Sequence, residues 1–459
     1  MAIMKKKNSY PVAASETEQQ IYALDIGSTY IRLISGIVEA DKQIKIQGYM
    51  QCPSRGINKG HISDIDSLAS QIAILIQEFQ NKYGVTIENI VTGAPGCFII
   101  AENQHGYSTV QSGNIDLADR NRAIKNAIAG VKDINESDYA IIHAIPQQYL
   151  TEGSDQVTNP IGMYAKRLEV NVHVIGLSYM FKKNIERAIM KTNPDLKVGS
   201  IIYSGNAAAA AVLNDAEKEI GVIHIDIGGG TVNVTVFEGK RQLLSFGIND
   251  GGNYITKMIA KEFSISLDEA EYLKCKSGVA DVRCLTEEQA NANIKFSKRR
   301  DGGMQDVEEV NVRMGDLADV INRGLKSMCE LIFLRINTIG RSTLNNLEIG
   351  SGVVLTGGTS KIYGIEAVFA ECIQEFLYQD ASFLKCYPRV RVGRPIGISL
   401  FEGAADRQEI ADTDKAVAIG LLRCARFEDL KQYSENTDES TNEKKGFLSG
   451  VVNWIRREM

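Results

Sequence analysis

The chain has 459 residues, 44% of them hydrophobic and 24% charged, with a formal net charge of −6 at pH 7. That length is too great for one core and predicts two or more domains of ordinary globular composition, while the acidic balance argues against a nucleic-acid binder. The eight cysteines form no C-x-x-C pair and there are five histidines, which argues against a zinc or disulfide scaffold; no apolar run is long enough to span a bilayer.

Residues 1–20 are polar and patternless. Lys5, Lys6 and Lys7 are followed by no apolar run, so this is read as a disordered tail, not a secretory signal. Residues 21–34, IYALDIGSTYIRLI, read as an apolar strand, a tight turn and an alternating strand. Asp25 sits at the mouth of that hairpin, with Gly27, Ser28 and Thr29 in the turn. A third strand follows at 44–49. A turn-rich loop at 56–62 precedes a helix carrying Leu68, Ile72, Leu75, Ile76 and Phe79 on one face, with Asp64 or Asp66 as its cap. A further strand at 89–93 ends in Ala94-Pro95-Gly96.

Residues 104–178 differ in character: a helix at 119–131, a strand at 139–144 and a strongly alternating strand, RLEVNVHVI, at 167–175. No phosphate turn and no acid–base constellation falls here, so the segment reads as an inserted α+β module suited to interactions. His143 and His173 lie in its apolar strands and read as packed core histidines. After a helix at 181–191 and a strand at 201–203 comes an Ala-rich helix at 204–213, matched late in the chain by 416–422. Faces this small allow close helix packing, as a hinge or shear contact needs.

The stretch 222–237, VIHIDIGGGTVNVTVF, repeats the layout of the first hairpin. Asp226 stands at its mouth, then Gly228, Gly229, Gly230 and Thr231. Glycines lacking Cβ let backbone N–H groups approach a phosphate, and an Asp beside them makes sense with a divalent cation between the two. A third Gly-rich turn, Gly357-Gly358-Thr359-Ser360, follows a strand and precedes a helix pattern beginning near Ile362, a setting that suits a nucleoside. Between these turns lie a helix at 268–276 that places Glu271 and Lys274 on one face, a basic loop at 295–303, and a long helix at 314–339.

Residues 429–445, DLKQYSENTDESTNEKK, have no apolar periodicity and read as a flexible linker. Residues 446–459 regain helical order. Phe447, Leu448, Val451, Val452 and Ile455 share a stripe, bordered by Trp454 and flanked by Arg456 and Arg457, as in a helix that lies in a bilayer interface.

Two Asp-Ile-Gly hairpins and a later Gly-Gly turn, in this order, resemble the phosphate 1, phosphate 2 and adenosine motifs of the actin, sugar-kinase and heat-shock-chaperone ATPase superfamily. With residues 143–149 (HAIPQQY), 159–162 (NPIG), 226–231 and the tethered C-terminal helix, the pattern is similar to the FtsA family of bacterial cell-division proteins from Ile21 onward. The resemblance implies an α/β, two-lobed actin-like ATPase fold with an inserted subdomain 1C in place of 1B. It divides the chain into subdomain 1A (21–103 and 179–213, with a return near 390–428), 1C (104–178), 2A (214–246 and 336–389), 2B (247–335), the linker 429–445 and the membrane-targeting helix 446–459. It implies ATP with Mg²⁺, the metal near Asp226 and Asp25 through water. The phosphates would lie on Gly27, Ser28, Thr29 and Gly228 to Thr231, with Glu271 and Lys274 at the adenine and ribose and Gly357 and Gly358 under the nucleoside.

Its implied partners are the C-terminal peptide of the tubulin-like ring protein FtsZ, further copies of the chain, later divisome membrane proteins and an anionic membrane surface. Arg313, Arg323 and Lys326 in 2B are the candidates for the acidic FtsZ tail, and the implied location is the cytoplasmic face of the inner membrane at the division site. Chaperone-type relatives have a Glu where Ser204 stands, and only Asn206 and Asn214 are nearby, so ATP binding is expected with at most weak hydrolysis. A pilus-assembly actin-like scaffold, a small-molecule kinase of the same fold and a nucleotide-free scaffold are the alternative readings.

Overall fold

A computed structural model describes residues 20–39, 43–134, 137–152, 154–299, 307–343, 347–380, 384–400 and 407–425. Strands β1 (Gln20–Ile26) and β2 (Tyr30–Val38) form the first hairpin, and β3 (Ile44–Pro53) continues it antiparallel. A two-stranded ribbon, β4 (Ile57–Asn58) and β5 (His61–Ile62), leads into α1 (Ile65–Tyr83). Asp64 caps that helix, its carboxylate accepting from the backbone N–H groups of Asp66 and Ser67, and Leu68, Ile72, Leu75, Ile76 and Phe79 are buried as their spacing predicts. Strand β6 (Asn89–Ala94) then pairs parallel with β1.

The chain leaves this lobe to build the insertion from β7 (Ile99–Thr109), α2 (Leu117–Ala129), β8 (Tyr139–Thr151), β9 (Ser154–Val157) and β10 (Arg167–Ser178). Its antiparallel sheet runs β7-β10-β8-β9. Helix α2 lies so close that a Cβ on Gly106 would come 2.2 Å from the Ala123 carbonyl oxygen. The insertion has a core of its own, from Val110 and Ile115 through Ile124 and Ile128 to Leu168, Val170 and Val172.

Helix α3 (Tyr179–Met190) and β11 (Lys197–Tyr203) return to the first lobe, followed by α4 (Ser204–Val212) and α5 (Asp215–Ile220). The second lobe opens with the meander β12 (Val222–Ile227), β13 (Val232–Glu238) and β14 (Arg241–Ile248). Helices α6 (Gly252–Phe263), α7 (Leu267–Ser277) and α8 (Glu287–Asn291), the hairpin β15 (Asn293–Arg299) and β16 (Val307–Arg313), and α9 (Met314–Thr343) form its outer part. There follow β17 (Leu347–Ile349), β18 (Val353–Thr356), α10 (Ile365–Asp380), β19 (Leu384–Cys386) and β20 (Val390–Val392). The last segments are β21 (Ile398–Leu400), α11 (Arg407–Ile410) and α12 (Ala416–Ala425).

The two main sheets, β11-β6-β1-β2-β3-β21 and β14-β13-β12-β18-β20, share a plan: an antiparallel three-strand meander joined to parallel strands. This is the two-lobed α/β architecture with an inserted α+β unit that the family resemblance implies. Two details differ from the sequence reading. The basic stretch 295–303 is not simply a loop, because residues through Arg299 belong to β15, registered against β16 with Lys298 opposite Glu308. Ile294 and Phe296 keep a strand alternation that the surrounding lysines and arginines obscure. The turn at Gly357 leads first into a single 3₁₀ turn, Gly358–Lys361, and the helix starts at Ile365.

Helices α4 and α12 cross where the lobes join. A Cβ on Gly420 would sit 1.7 Å from the Ala207 carbonyl oxygen, so the helix backbones are in direct contact. Ala207, Ala208, Ala211, Val417, Ala418 and Leu421 fill the shared core between the sheets. The small residues at 204–213 and 416–422 therefore do allow the close approach their composition predicts.

Candidate functional site

The two Asp-Ile-Gly turns have the same closure. Gly27 N–H donates to the Tyr30 carbonyl at 3.0 Å and Gly228 N–H to the Thr231 carbonyl at 2.9 Å. Behind the turns the carbonyls are taken by the protein. The Gly27 carbonyl accepts from Ser54 Oγ at 2.5 Å, the Thr29 carbonyl from Ser54 N–H, and those of Gly228 and Gly229 from Gly252 and Asn253 N–H. A trans peptide points its N–H opposite its C=O, so the amides of Ser28, Tyr30, Gly229 and Gly230 face away from those anchors. The turns also press on each other: a Cβ on Gly229 would lie 2.2 Å from Thr29 Oγ1, and one on Gly230 2.4 Å from Ser28 Oγ. A side chain at Gly229 would force the Thr29 hydroxyl to turn away, and at Gly230 the Lys59 backbone, 2.8 Å from an added Cβ, blocks one as well.

Between them lies a cleft of about 380 Å³, lined by Asp25, Gly27, Ser28, Thr29, Asp226, Gly228, Gly229, Gly230, Thr231, Glu271, Lys274, Gly357 and Gly358. Every residue singled out for a nucleotide from the sequence thus borders one cavity, whose volume is in the range of small-ligand sites. Gly357, at φ +89°, lies against the Ile227 carbonyl and Asp226 and closes the floor. Glu271 and Lys274 pair at 2.6 Å, and Lys274 also donates to Thr256 Oγ1 at 2.7 Å and to the Gly252 carbonyl at 3.1 Å. Burial works to raise the Glu271 carboxyl, but Lys274 and Thr256 outweigh it and hold it below its ordinary value.

The cleft floor carries two buried carboxylates. Burial pushes Asp25 up to about 6, countered in part by Arg32 and reinforced by Asp226. Burial also raises Asp226, against hydrogen bonds from Asn233 and Thr356. Two buried acids beside the turn amides form a donor set that suits a hard divalent cation shared with phosphate oxygens.

Several residues here were not picked out from the sequence. Arg32 reaches Asp25 at 3.3 Å and Asp414 at 3.1 Å. Asp414 also meets Lys361 and Lys415, each at 3.0 Å; burial opposes the charge of Asp414, and these cations outweigh it, keeping its carboxyl below the usual range. Asn233 Nδ2 donates to Asp226 Oδ2 at 3.0 Å, and Thr356 Oγ1 to Asp226 Oδ1 at 3.1 Å. One signal could have found two of them: Arg32 and Asn233 each follow their Asp by seven positions, the cross-strand partner in each hairpin. Asn206 is directed elsewhere, accepting from Gln242 Nε2 at 2.6 Å.

His143 and His173 are packed as expected. His173 is 1% exposed and lowered to about 3 by burial, and His143 is buried with its Nε2 accepting from Tyr203 N–H at 3.0 Å. The three basic candidates lie apart from the cleft, each with an acid. Arg313 pairs with Asp316, Arg323 with Glu262 at 3.2 Å, and Lys326 with Glu371 at 3.6 Å. The tail 1–19, the linker 429–445 and the helix 446–459 with Phe447, Leu448, Val451, Val452, Trp454, Ile455, Arg456 and Arg457 lie outside the described residues. Among the described residues no helix is long and apolar enough to cross a membrane.

Residues 96–176 match the family model described as SHS2 domain inserted in FTSA, and residues 223–420 match that of Cell division protein FtsA. The cell division protein FtsA of Neisseria meningitidis serogroup B is 30% identical over 443 residues, covering 96% of this chain and 99% of that protein. That of Escherichia coli K12 is 25% identical over 442 residues, covering 95% and 98%. Among solved structures, the PilM-PilN type IV pilus biogenesis complex aligns with a TM-score of 0.57 at 15% identity, over 88% of this chain and 98% of that one. At that identity the likeness speaks to the actin-like fold alone. A chain that aligns from end to end with such relatives, and carries both of the family's own regions in their order, belongs to the FtsA family of cell division proteins.

Proposed function

We propose that this chain binds Mg²⁺-ATP in the cleft and acts as the actin-like tether of the FtsZ ring at the cytoplasmic membrane. In this reading it assembles with further copies of itself and recruits later division proteins. The observation that carries the nucleotide reading is the meeting of two identically closed glycine turns over two buried carboxylates. Asp226 and Asp25 would hold Mg²⁺ through water, and the bound ion neutralises phosphate charge. Gly27 to Thr29 and Gly228 to Thr231 would hold the phosphates, Glu271 and Lys274 the ribose and adenine edge, and Gly357 and Gly358 the nucleoside.

Holding is favoured over turnover. Asp25 is engaged by Arg32, Asp226 by Asn233 and Thr356, Glu271 by Lys274, and Asp414 by Arg32, Lys361 and Lys415. Each cleft-lining carboxylate among the described residues thus already has a protein partner, and none stands out as a base for an attacking water. The FtsZ tail is assigned to the outer part of the second lobe with Arg313, Arg323 and Lys326 at its rim, and the membrane to the basic amphipathic stretch 446–459.

Titration of labelled ATP with Mg²⁺ into the full chain and into Asp226→Ala tests the cleft. Removing the carboxylate leaves cation and triphosphate poorly compensated, a loss of roughly 2–4 kcal/mol. Equal affinity in the two proteins overturns the reading.

A further inference from the structure

Four residues form one transverse row across the second sheet. Thr356 on β18 is registered with Asp226 on β12, Asp226 with Asn233 on β13, and Asn233 with Gly247 on β14. The row does not end at the sheet edge. Gly96, the first residue of the insertion's family match, packs on Gly247 backbone to backbone: a Cβ on Gly247 would lie 2.2 Å from the Gly96 carbonyl carbon, and one on Gly96 2.7 Å from Gly247 Cα. Gly96 N–H donates to Asn233 Oδ1 at 2.7 Å, while the same amide donates from Nδ2 to Asp226 Oδ2 at 3.0 Å. A backbone N–H can only donate, so the oxygen of Asn233 must face Gly96 and its nitrogen must face the carboxylate. The amide is 3% exposed and held at both ends.

Beyond Gly96 the insertion docks on the same edge strand. Asn103 Nδ2 donates to the Leu243 carbonyl at 2.9 Å. His173 bridges Asn103 Oδ1 at 2.7 Å and Ser245 Oγ at 2.8 Å, and Gln242 Nε2 donates to Ser245 Oγ at 2.6 Å. This seam is neutral and hydrogen-bonded throughout the set just named, and His173, Gln242, Leu243 and Ser245 in it are buried. Asp226, by contrast, has a second anchor that stays within its own lobe. Thr356 Oγ1 donates to it and in turn accepts from His224 Nε2 at 3.0 Å, which leaves His224 Nδ1 buried without a partner.

We propose that Asn233 is a positioning residue that joins the cleft carboxylate Asp226 to the root of the insertion, so that cleft occupancy and the docked insertion stabilise each other. The proposal rests on the nucleotide reading of the cleft. A cation held at Asp226 would bear on one partner of an amide whose other partner is the Gly96 backbone at the root of the insertion. The glycine contact at Gly96 and Gly247 leaves no side chain to absorb the shift. Any such coupling is reciprocal, because it is one free energy shared by two sites.

Amide hydrogen exchange on the full chain, with and without saturating Mg²⁺ and a non-hydrolysable ATP analogue, reads the coupling. In the wild type the analogue should slow exchange about threefold or more along β7 and β14. Asn233→Ala, saturated with the analogue, should lose that response, whereas Thr356→Val should bind more weakly yet keep it. Should Asn233→Ala fold poorly, the reciprocal arm stands by itself: Asn103→Leu, far from the cleft, should weaken analogue affinity several-fold. Binding by the wild type with an unresponsive seam overturns the coupling alone, as does an unchanged response in Asn233→Ala or unchanged affinity in Asn103→Leu. No binding by the wild type overturns the cleft reading and the coupling together.

Discussion

Arg32 stands directly across the first hairpin from Asp25, its guanidinium 3.3 Å from that carboxylate and 3.1 Å from Asp414, a residue 382 positions away. The ion group is buried, so its members are worth little as attraction and much as mutual compensation. Arg32→Met should strand the buried Asp25, while Asp414 keeps Lys361 and Lys415, and destabilise the chain by about 3 kcal/mol, read as a lower urea midpoint. Arg32→Lys should recover part of that loss.

The raised Asp25 carboxyl gives stability and ligand affinity opposite dependences on pH. Its folded value near 6 exceeds the ordinary 3.8, so its proton contributes stability that is fully present below pH 3.8 and is lost as pH rises through about 6. Cation binding needs the ionised form. Mg²⁺-ATP affinity should therefore fall as pH drops below 6, by up to about tenfold per unit from this one proton. Calorimetric titration between pH 5 and 7.5, compared with Asp25→Asn to remove the contribution of ATP itself, should show this step in the wild type only.

Gly420 tests the crossing of α4 and α12. Because a Cβ there meets the Ala207 carbonyl, Gly420→Ala must separate the helices, at about 2–3 kcal/mol. Thermal unfolding should shift down by several degrees, whereas Gly84→Ala should cost less, since nothing lies within 4 Å of the Cβ it adds and only its positive φ opposes the change.

The basic candidates of the second lobe carry their own acids, which the proposed acidic FtsZ tail would have to displace. Charge reversal at Arg313, Arg323 or Lys326 should each weaken tail-peptide binding only a few-fold, and the triple reversal should flatten its salt dependence. Fluorescence anisotropy at two ionic strengths measures both; no change in the triple variant places the peptide elsewhere.

Trp454 is the only tryptophan, so its emission reports on the C-terminal stretch alone. Apolar insertion plus roughly 1 kcal/mol per basic residue near an anionic surface predicts reversible binding, made firm by self-assembly. Anionic vesicles should shift Trp454 emission to the blue more than neutral ones. Ile455→Glu should abolish pelleting with vesicles and leave ATP binding intact.

Local pattern alone determined much of this protein. Strand periodicity around Asp25 and Asp226, the glycine turns after them and the helical stripes of α1 depend on residues a few positions apart, so they are legible along the chain. The repeat of one hairpin announced two copies of one unit facing a shared ligand, with Asp25 and Asp226 at their mouths, and the family resemblance added Glu271 and Lys274 to the lining. What tertiary structure decided was every role that depends on a distant partner. The alternation in β13 suggests a polar face, yet Asn233 and Thr235 are buried because the insertion and the inner helices cover the side a lone hairpin would leave wet. Arg32 reads as an ordinary strand residue until Asp414 folds back beside it. Gly96 and Gly247 read as plain turn and strand glycines until two backbones meet there with no room for a Cβ. Such contacts are set by how sheets and helices pack, and packing leaves no period in the sequence.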